Sequence, residues 1–410
     1  MKHILSFSTV ALALLLSCTG GEQRSDGQAT LDWWQFWTDP AIKPTIEQMV
    51  ADFESQNPNI TVNITDLTWA NGHEKIVMAF SSNTAPDIVE LGSDWIPEFS
   101  SAGKLANLTA DLLADTSQFY AWTPAVYDSA LYAMPWILGT RVMFINKNLV
   151  KRAGYDDNYI PLNWSQLKEL CYKIDSLGKD IYGFGANAAE KHRLYKKFLP
   201  FFWSNKAKIM SEDGSFSTFA SDRAYAALKY YKELCDSTSM VDTQRRLEDA
   251  FLDGKVGVII SGDWLLKRIH NENPDIDIVT TLIPGPKYPG PSFVGGEYLA
   301  VSEQSKQKAA ALKFIRYVTS PENQLRFCKA NFSANPSSKE AAKDSFFVET
   351  PHFQTFVKQL ALSRIPEIDE HWVYIEDIIE NALEKALYQN APPAQTLYEA
   401  KLEIEKLYAE

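Results

Sequence analysis

Hydrophobic and polar residues between positions 30 and 65 follow two periodicities in turn. Leu31–Trp37 is apolar on both faces, which predicts a strand covered on both sides, as in a parallel sheet. Ile46–Phe53 places apolar residues at helical spacing, and Ile60–Ile64 alternates apolar with polar residues. Together the three segments predict a β-α-β unit with a right-handed crossover.

The same order of signals recurs along the chain and predicts an open α/β sheet. A helix is expected over Glu74–Ser82 and mainly helical structure over Trp164–Ser239 and from Ser302 onwards. Further strands are expected at Asp87–Leu91, Val142–Asn146, Val256–Ile260, Ile276–Thr281 and in Tyr298–Val301.

The amino terminus carries the features of an export signal. Lys2 precedes an apolar run, Ile4–Leu16, which is too short for a permanent membrane span. Ser17-Cys18 follows directly and resembles a bacterial lipobox, which implies cleavage before Cys18 and lipid attachment to its sulfur. We therefore expect a signal peptide over 1–17 and a polar tether over 18–29. An ordinary secretory signal with an incidental cysteine is the alternative.

Composition excludes some classes of function. The chain has 52 acidic and 40 basic residues, a net charge of −12, so it lacks the basic surplus that a nucleic-acid backbone requires. Beyond Cys18 the cysteines are Cys171, Cys235 and Cys328, an odd number, and we expect buried free thiols. The histidines are scattered and no cysteine pair has zinc-site spacing, so neither a metal nor another cofactor is expected.

Several motifs in a fixed order resemble one protein family. They are FESQNPNITVNI, APDIVELGSDW, AMPWILGTRVMFINKNLVKRAG, DGKVGVIISGDW and GGEYLAVSEQSKQKAAALKFIRYVTSPENQ. In this order they resemble the solute-binding proteins of ABC importers, in the sugar-binding group that includes maltose-binding protein. One departure is Lys206-Ala207, which stands where relatives often have a pair of glycines.

The resemblance implies an α/β fold of two lobes with the ligand in a cleft between them. Each lobe would be a mainly parallel sheet flanked by helices, and the lobes would close by a hinge motion. The expected first lobe comprises 30–137 and 282–320, and the second comprises 138–281 and 321–410. The chain is expected to cross between them near 135–140, 280–284 and 319–321.

The resemblance also implies a function without chemistry. The protein would capture a sugar, in particular an oligosaccharide, and deliver it to the transmembrane permease subunits of an ABC importer. It would act as a monomer, lipid-anchored to a bacterial membrane in the periplasm or at the cell surface. Two alternatives remain: the same fold binding a non-sugar solute such as a polyamine or peptide, and a secreted glycoside hydrolase. A hydrolase would need two carboxylates flanking the bond, for which Asp94, Asp263 and Glu297 are available.

Candidate binding residues follow strand ends in the first lobe, because open α/β sheets bind ligands beyond the carboxyl ends of their strands. Sugars need hydrogen-bonding groups for their hydroxyls and aromatic rings for their apolar faces. The candidates that combine both are Trp37, Thr38, Asp39, Trp69, Asn71, Asp94 and Trp95. Asp39 and Asp94 also suit helix caps. Trp33 and Trp34 lie in mid-strand and are predicted to be core.

Further candidates come from the crossings and the second lobe. Trp136 precedes the first crossing and is expected to face the cleft. By the resemblance, Trp264 of Gly262-Asp263-Trp264 stacks on the sugar, and Trp372 corresponds to another stacking aromatic. Gly295-Gly296-Glu297 is expected to form a loop in which Gly296 permits close backbone approach and Glu297 accepts hydroxyls; a plain turn is the alternative. The set from this region is Trp136, Asp263, Trp264, Gly296, Glu297 and Trp372.

Overall fold

The computed structural model describes residues 28–190, 192–332, 335–366 and 369–409. The predicted signal peptide, the predicted lipidation site Cys18 and most of the predicted tether lie outside the described residues. Among the described residues, no helix combines the length and apolar composition needed to span a bilayer.

The strands form two main sheets. They are β1 Ala29–Gln35, β2 Ile60–Asp66, β3 Ile88–Gly92, β4 Val126–Tyr127, β5 Ala130–Leu131, β6 Ala133–Thr140, β7 Val142–Asn146, β8 Tyr182–Asn187, β9 Ser239–Asp242, β10 Val256–Ser261, β11 Ile278–Thr281 and β12 Val294–Val301. Sheet one has the order β2-β1-β3-β12-β6, sheet two the order β11-β7-β10-β8-β9, and β4 pairs with β5.

Helices cover both faces of these sheets. They are α1 Lys43–Gln56, α2 Gly72–Ser81, α3 Ile96–Ser101, α4 Thr109–Leu112, α5 Lys147–Arg152, α6 Trp164–Asp175, α7 Leu194–Ser204, α8 Asp222–Thr238, α9 Gln244–Leu252, α10 Trp264–Glu272, α11 Lys308–Val318, α12 Pro321–Asn331, α13 Ser345–Val348, α14 Pro351–Leu362, α15 Trp372–Tyr388 and α16 Pro393–Lys406.

The first strand has the two-sided burial that its sequence predicts. β1 pairs in parallel with β2 and β3, as a β-α-β crossover requires. Leu31 and Trp33 point into one core, with α1 and α11, whereas Trp34 packs at the edge of a second core on the opposite face. The strand ends at Gln35 and not at Trp37. The expectation that Trp33 is core is confirmed, since 1% of its surface is exposed.

The predicted α/β class is confirmed, but the sheets are mixed and not mainly parallel. In sheet one, β2-β1-β3 run parallel and β3-β12-β6 antiparallel. Sheet two repeats this arrangement, with β9-β8-β10 parallel and β10-β7-β11 antiparallel. The antiparallel strands are those next to the crossings, where the chain leaves one sheet and enters the other in a reversed direction.

Two crossings between the sheets are short. Arg141 alone separates β6 of sheet one from β7 of sheet two, and 282–293 lead from β11 of sheet two to β12 of sheet one. A third passage follows α13, because Phe347 packs with Trp33 whereas Phe353 of α14 packs beside sheet two. Helix α12 also contributes Phe327 to the Trp33 core. The expected crossing at 319–321 therefore differs from the packing, in which α12 and α13 accompany sheet one.

Sheet two carries a large core formed with α6, α7, α8, α15 and α16. Its close packing depends on Gly183 of β8, where an added Cβ would lie 2.0 Å from the carbonyl oxygen of Cys171 in α6. Cys171, Cys235 and Cys328 are buried and form no disulfide within the described part of the chain.

Candidate functional site

Asp94 lies at the centre of the contact between the two lobes. It follows β3, and the N-cap position of α3 is taken by the next residue, Trp95. Its Oδ2 accepts a hydrogen bond from the hydroxyl of Tyr195 at 3.1 Å and from Nζ of Lys196 at 3.3 Å, both on α7. Burial alone would raise the pKa of this carboxyl, but the Lys196 ammonium and the hydrogen bonds from Lys196, Tyr195 and the backbone together outweigh burial, and the pKa is lowered. Asp94 is thus an ionised group that joins the lobes.

A second charged contact between the lobes involves Asp39. Its Oδ1 accepts from the backbone N–H of Ala41 at 2.8 Å, and its Oδ2 lies 3.1 Å from Nζ of Lys267 on α10. The hydrogen bond from Ala41 is the main cause of its lowered pKa. Asp39 therefore holds a turn before α1 and meets the other lobe, while the preceding Thr38 is partly buried in the same turn.

Aromatic rings line the first lobe beside Asp94. Trp69 is 39% exposed and stacks on Phe36 at 4.2 Å between centroids. Trp95 is buried, lies 5.4 Å from Trp69, and also approaches His192 of the second lobe at 6.4 Å. Asn71 is the N-cap residue of α2, and its side chain accepts from the Thr68 hydroxyl. Trp69 is the member of this group that offers an exposed ring face.

Trp136 is fully buried and does not face the cleft, contrary to its predicted position. It belongs to β6, whose alternation places it on the face of sheet one that α12 covers. Its ring packs 5.1 Å from Phe327 and 6.1 Å from Trp37. Trp37 is partly buried in the same cluster, 4.7 Å from Phe327. Core packing thus accounts for the complete burial of Trp136 and for much of the burial of Trp37.

Trp264 is held firmly at the start of α10 in the second lobe. Its Nε1 donates to Oε1 of Glu248 at 2.6 Å. Glu248 is buried and also accepts from Arg268 at 3.2 Å, which balances its charge. The guanidinium of Arg141 lies 5.5 Å from the Trp264 ring and the ammonium of Lys197 lies 5.8 Å from it. The ring is therefore fixed by hydrogen bonding and carries cations at its face.

Gly296 and Glu297 lie within β12 and not in a loop before it, so the predicted loop is wrong. The Gly296 carbonyl accepts from the backbone N–H of Ser93 at 2.9 Å, and a Cβ on Gly296 would lie 2.7 Å from the carbonyl oxygen of Ile137. The close backbone approach expected at Gly296 therefore occurs between β12 and β6. Burial, together with the nearby carboxylate of Asp263, raises the pKa of Glu297 to about 7, and Arg141 opposes this rise.

Trp372 begins α15, as predicted, but its side chain is 1% exposed. The ring meets the edge of Tyr195 at 6.0 Å, so it supports α7 from beneath. Helix α15 also carries Glu376, which binds His192, and Glu380. Burial and the neighbouring Glu376 raise the pKa of Glu380 to about 7. This arrangement fixes the start of α7 beside Asp94.

The sequence-based candidates omit two residues that make contacts between the lobes, Tyr195 and Lys196. The sequence feature that could have indicated these two residues lies in the segment Leu194–Ser204, where Tyr195-Lys196-Lys197 interrupts an apolar helix. Lys197 is buried, and its Nζ donates to the Ile260 carbonyl at 2.8 Å. A polar stripe on a buried helix is expected where the helix faces a second, polar surface.

The site combines rings with carboxylates and cations from both lobes, which suits a polyhydroxylated ligand. The described residues contain no group of three or more histidine, cysteine or acidic side chains able to hold a metal ion.

Residues 38–325 match the sequence profile of the family described as Bacterial extracellular solute-binding protein. The chain belongs to this family. Its members are binding proteins located outside the cytoplasm, which agrees with the two-lobed fold and the site between the lobes.

Individual relatives cover most of the chain. A putative binding protein of Brucella abortus is 28% identical over 371 residues, 87% of this chain and 88% of the relative. The diacetylchitobiose binding protein DasA of Streptomyces coelicolor is 26% identical over 80% of each chain. Among solved structures, an ABC transporter solute-binding protein of Thermotoga lettingae bound with alpha-D-tagatose superposes with a TM-score of 0.84 at 22% identity, covering 92% of this chain and 99% of the other. That likeness establishes the fold.

Proposed function

We propose that this protein captures a sugar, in particular an oligosaccharide, between its two lobes and delivers it to the permease subunits of an ABC importer. The observation that carries the proposal is the mixture of groups at the lobe interface: the exposed ring of Trp69, the fixed ring of Trp264, and the charged Asp94, Arg141 and Glu297. Rings match the apolar faces of sugars and charged groups match their hydroxyls. Family membership and the diacetylchitobiose-binding relative support the same ligand class.

A thermal-shift screen tests the ligand class. Probes are N,N′-diacetylchitobiose, maltotriose, tagatose, digalacturonic acid, putrescine and a tripeptide, each added to the purified chain without its first 27 residues. A binding sugar at a hundred times its Kd stabilises the folded state by about 2.7 kcal/mol, which raises the unfolding temperature by some degrees. Stabilisation by putrescine or the peptide alone would instead support the non-sugar alternative.

The proposal includes the absence of catalysis. Asp94 is ionised and held by Tyr195 and Lys196, so it offers no proton for general acid catalysis. Incubation of the protein with an oligosaccharide that it binds should release no reducing ends above a buffer control. Release that is lost in Asp94→Asn or Glu297→Gln would favour the hydrolase alternative.

We further propose a lipid anchor at Cys18, on the motif Leu15-Leu16-Ser17-Cys18. The full chain expressed in a bacterium should sediment with membranes, and Cys18→Ala should move it to the soluble fraction. Cys171→Ala is the matched control, because this buried cysteine lies far along the chain in α6 and its loss should leave the distribution unchanged. Membrane association that persists in Cys18→Ala would contradict the anchor.

A further inference from the structure

Arg141 occupies the shortest passage between the lobes. Thr140 ends β6 in sheet one and Val142 begins β7 in sheet two, so Arg141 is the residue at which the chain changes sheet. Both neighbours are held by strand pairing, Thr140 to Val294 and Val142 to Ser261. The position of the Arg141 backbone is therefore fixed, and its side chain projects at the boundary of the two lobes.

The guanidinium lies between two aromatic rings. Its central carbon is 5.5 Å from the ring centroid of Trp264 and 5.1 Å from that of Phe293. Neither ring is free to turn away, because Trp264 donates to Glu248 at 2.6 Å and Phe293 is buried with its edge against Tyr195 at 5.7 Å. Planar guanidinium groups stack well on such rings, which fixes the direction in which their N–H groups point.

Within the part of the chain that the structure describes, Arg141 has aromatic contacts but its guanidinium donates no hydrogen bond and joins no ion pair. Arg141 is partly buried, and a guanidinium has five N–H donors that normally find acceptors when they are withdrawn from bulk water. Arg268 shows the usual state in this protein, with hydrogen bonds to Glu248 at 3.2 Å, Asp249 at 2.5 Å and Glu272 at 2.7 Å. Arg141 is thus a pre-oriented donor group that lacks an acceptor.

The charges around Arg141 indicate which acceptor fits. Glu297, Asp94 and the cationic Arg193 all act on it, and Asp94 is already neutralised by Lys196 at 3.3 Å. Asp263 adds a further carboxylate close to Glu297. An anionic ligand group at Arg141 would meet these carboxylates, whereas a hydroxyl can accept from Arg141 and donate to Glu297. The balance of charge therefore favours a neutral polyhydroxylated ligand over an acidic one.

We infer that Arg141 is a ligand-recognising residue whose guanidinium, held by Trp264 and Phe293, donates to oxygen atoms of a neutral sugar that lies against Glu297. The inference rests on the proposed sugar-binding function and adds to it a named donor and the uncharged character of the ligand.

Binding calorimetry on substituted chains tests this. The probes are N,N′-diacetylchitobiose and maltotriose as neutral sugars and digalacturonic acid as an acidic one. Arg141→Met keeps an apolar side chain between the rings but removes all donors, so the Kd for the neutral sugar that binds should rise about tenfold to a hundredfold. Arg141→Lys keeps the charge but loses the planar fork, so its Kd should lie between those of the wild type and Arg141→Met.

Arg246→Met is the matched control. Arg246 belongs to the second lobe and carries the same charge as Arg141, but it is 74% exposed and paired with Asp242. Its substitution should change the Kd by less than about twofold, as expected for an exposed ion pair. Unfolding temperatures without ligand identify any loss of folding. If Arg141→Met unfolds, the comparison of Arg141→Lys with Arg246→Met decides the matter.

The outcomes separate the inference from the function on which it rests. Unchanged affinity for a neutral sugar in Arg141→Met would overturn the inference and leave the proposed function standing. Binding of digalacturonic acid alone, lost in Arg141→Met, would overturn the neutral ligand class. Failure of every sugar to bind the wild type would overturn the proposed function and the inference together.

Discussion

Trp33 fills the centre of the core between sheet one and its helices. Its ring meets Phe314 of α11 at 5.2 Å and Trp136 of β6 at 6.0 Å. Trp33→Ala removes these contacts and leaves a large cavity, so we expect the free energy of unfolding to fall by about 3 to 5 kcal/mol. Urea unfolding measures this, with sugar affinity determined on the fraction that remains folded.

Trp37 is the comparison for that substitution. It follows the end of the same strand, is partly exposed and packs on Phe327. Trp37→Ala should cost less stability than Trp33→Ala and should weaken sugar binding more. If Trp33→Ala and Trp37→Ala lost the same sugar affinity and had the same stability, the assignment of Trp33 to the core and Trp37 to the binding site would be contradicted.

Glu297 gives the protein a specific dependence of stability on pH. Its pKa is raised from an ordinary 4.5 to about 7, so between these values the folded protein binds more protons than the unfolded one. The free energy of unfolding should therefore fall as pH rises through this range. Glu297→Gln should flatten the slope when ligand-free protein is unfolded in urea at a series of pH values. The exposed Glu303→Gln should leave the slope as in the wild type.

At the scale of elements, the contact between α6 and β8 depends on one glycine. A Cβ on Gly183 would lie 2.0 Å from the carbonyl oxygen of Cys171, a backbone atom that cannot move away without displacing the helix. Gly183→Ala should therefore destabilise the second lobe by about 1 to 3 kcal/mol. Thermal unfolding measures this against Gly139→Ala, where the added Cβ meets no atom within 4 Å. A similar loss of stability in both variants would show that the clash with Cys171 is not its cause.

Two strands show why local sequence is an incomplete guide to elements. The resemblance implies a crossing near 135–140, but Ala133–Thr140 forms β6, an edge strand of sheet one, where Pro135 is tolerated. Tyr182–Asn187 contains two glycines and lacks a long apolar run, yet it forms β8, because α6 and β10 approach it closely. In each case the neighbours, and not the segment, stabilise the strand.

On the scale of the whole molecule, the two lobes are joined by charged groups of opposite sign. Asp39 and Asp94 of the first lobe meet Lys267 and Lys196 of the second, at 3.1 Å and 3.3 Å. Lys196→Met removes one of these pairs and leaves Asp94 without its cation, so the ligand-free protein should shift towards an open arrangement of lobes. Small-angle scattering should then report a larger radius of gyration.

The control for that measurement is Lys208→Met, since the Lys208–Glu212 pair lies within the second lobe. Its radius of gyration should equal that of the wild type. No change in Lys196→Met would show that the remaining contacts, which include the Asp39–Lys267 pair and the ring contact of Trp95 with His192, suffice to keep the lobes together.

The sequence by itself determined the fold class, most strands and the core role of Trp33, because periodic burial and local turns are encoded over a few residues. It also placed Asp94 and Trp264 at strand ends near the cleft. Only the tertiary structure decided that Trp136 and Trp372 are core and that Tyr195 and Lys196 reach Asp94. These outcomes depend on which surfaces of two separate sheets face one another, and contacts between residues a hundred positions apart leave no periodic trace in either segment.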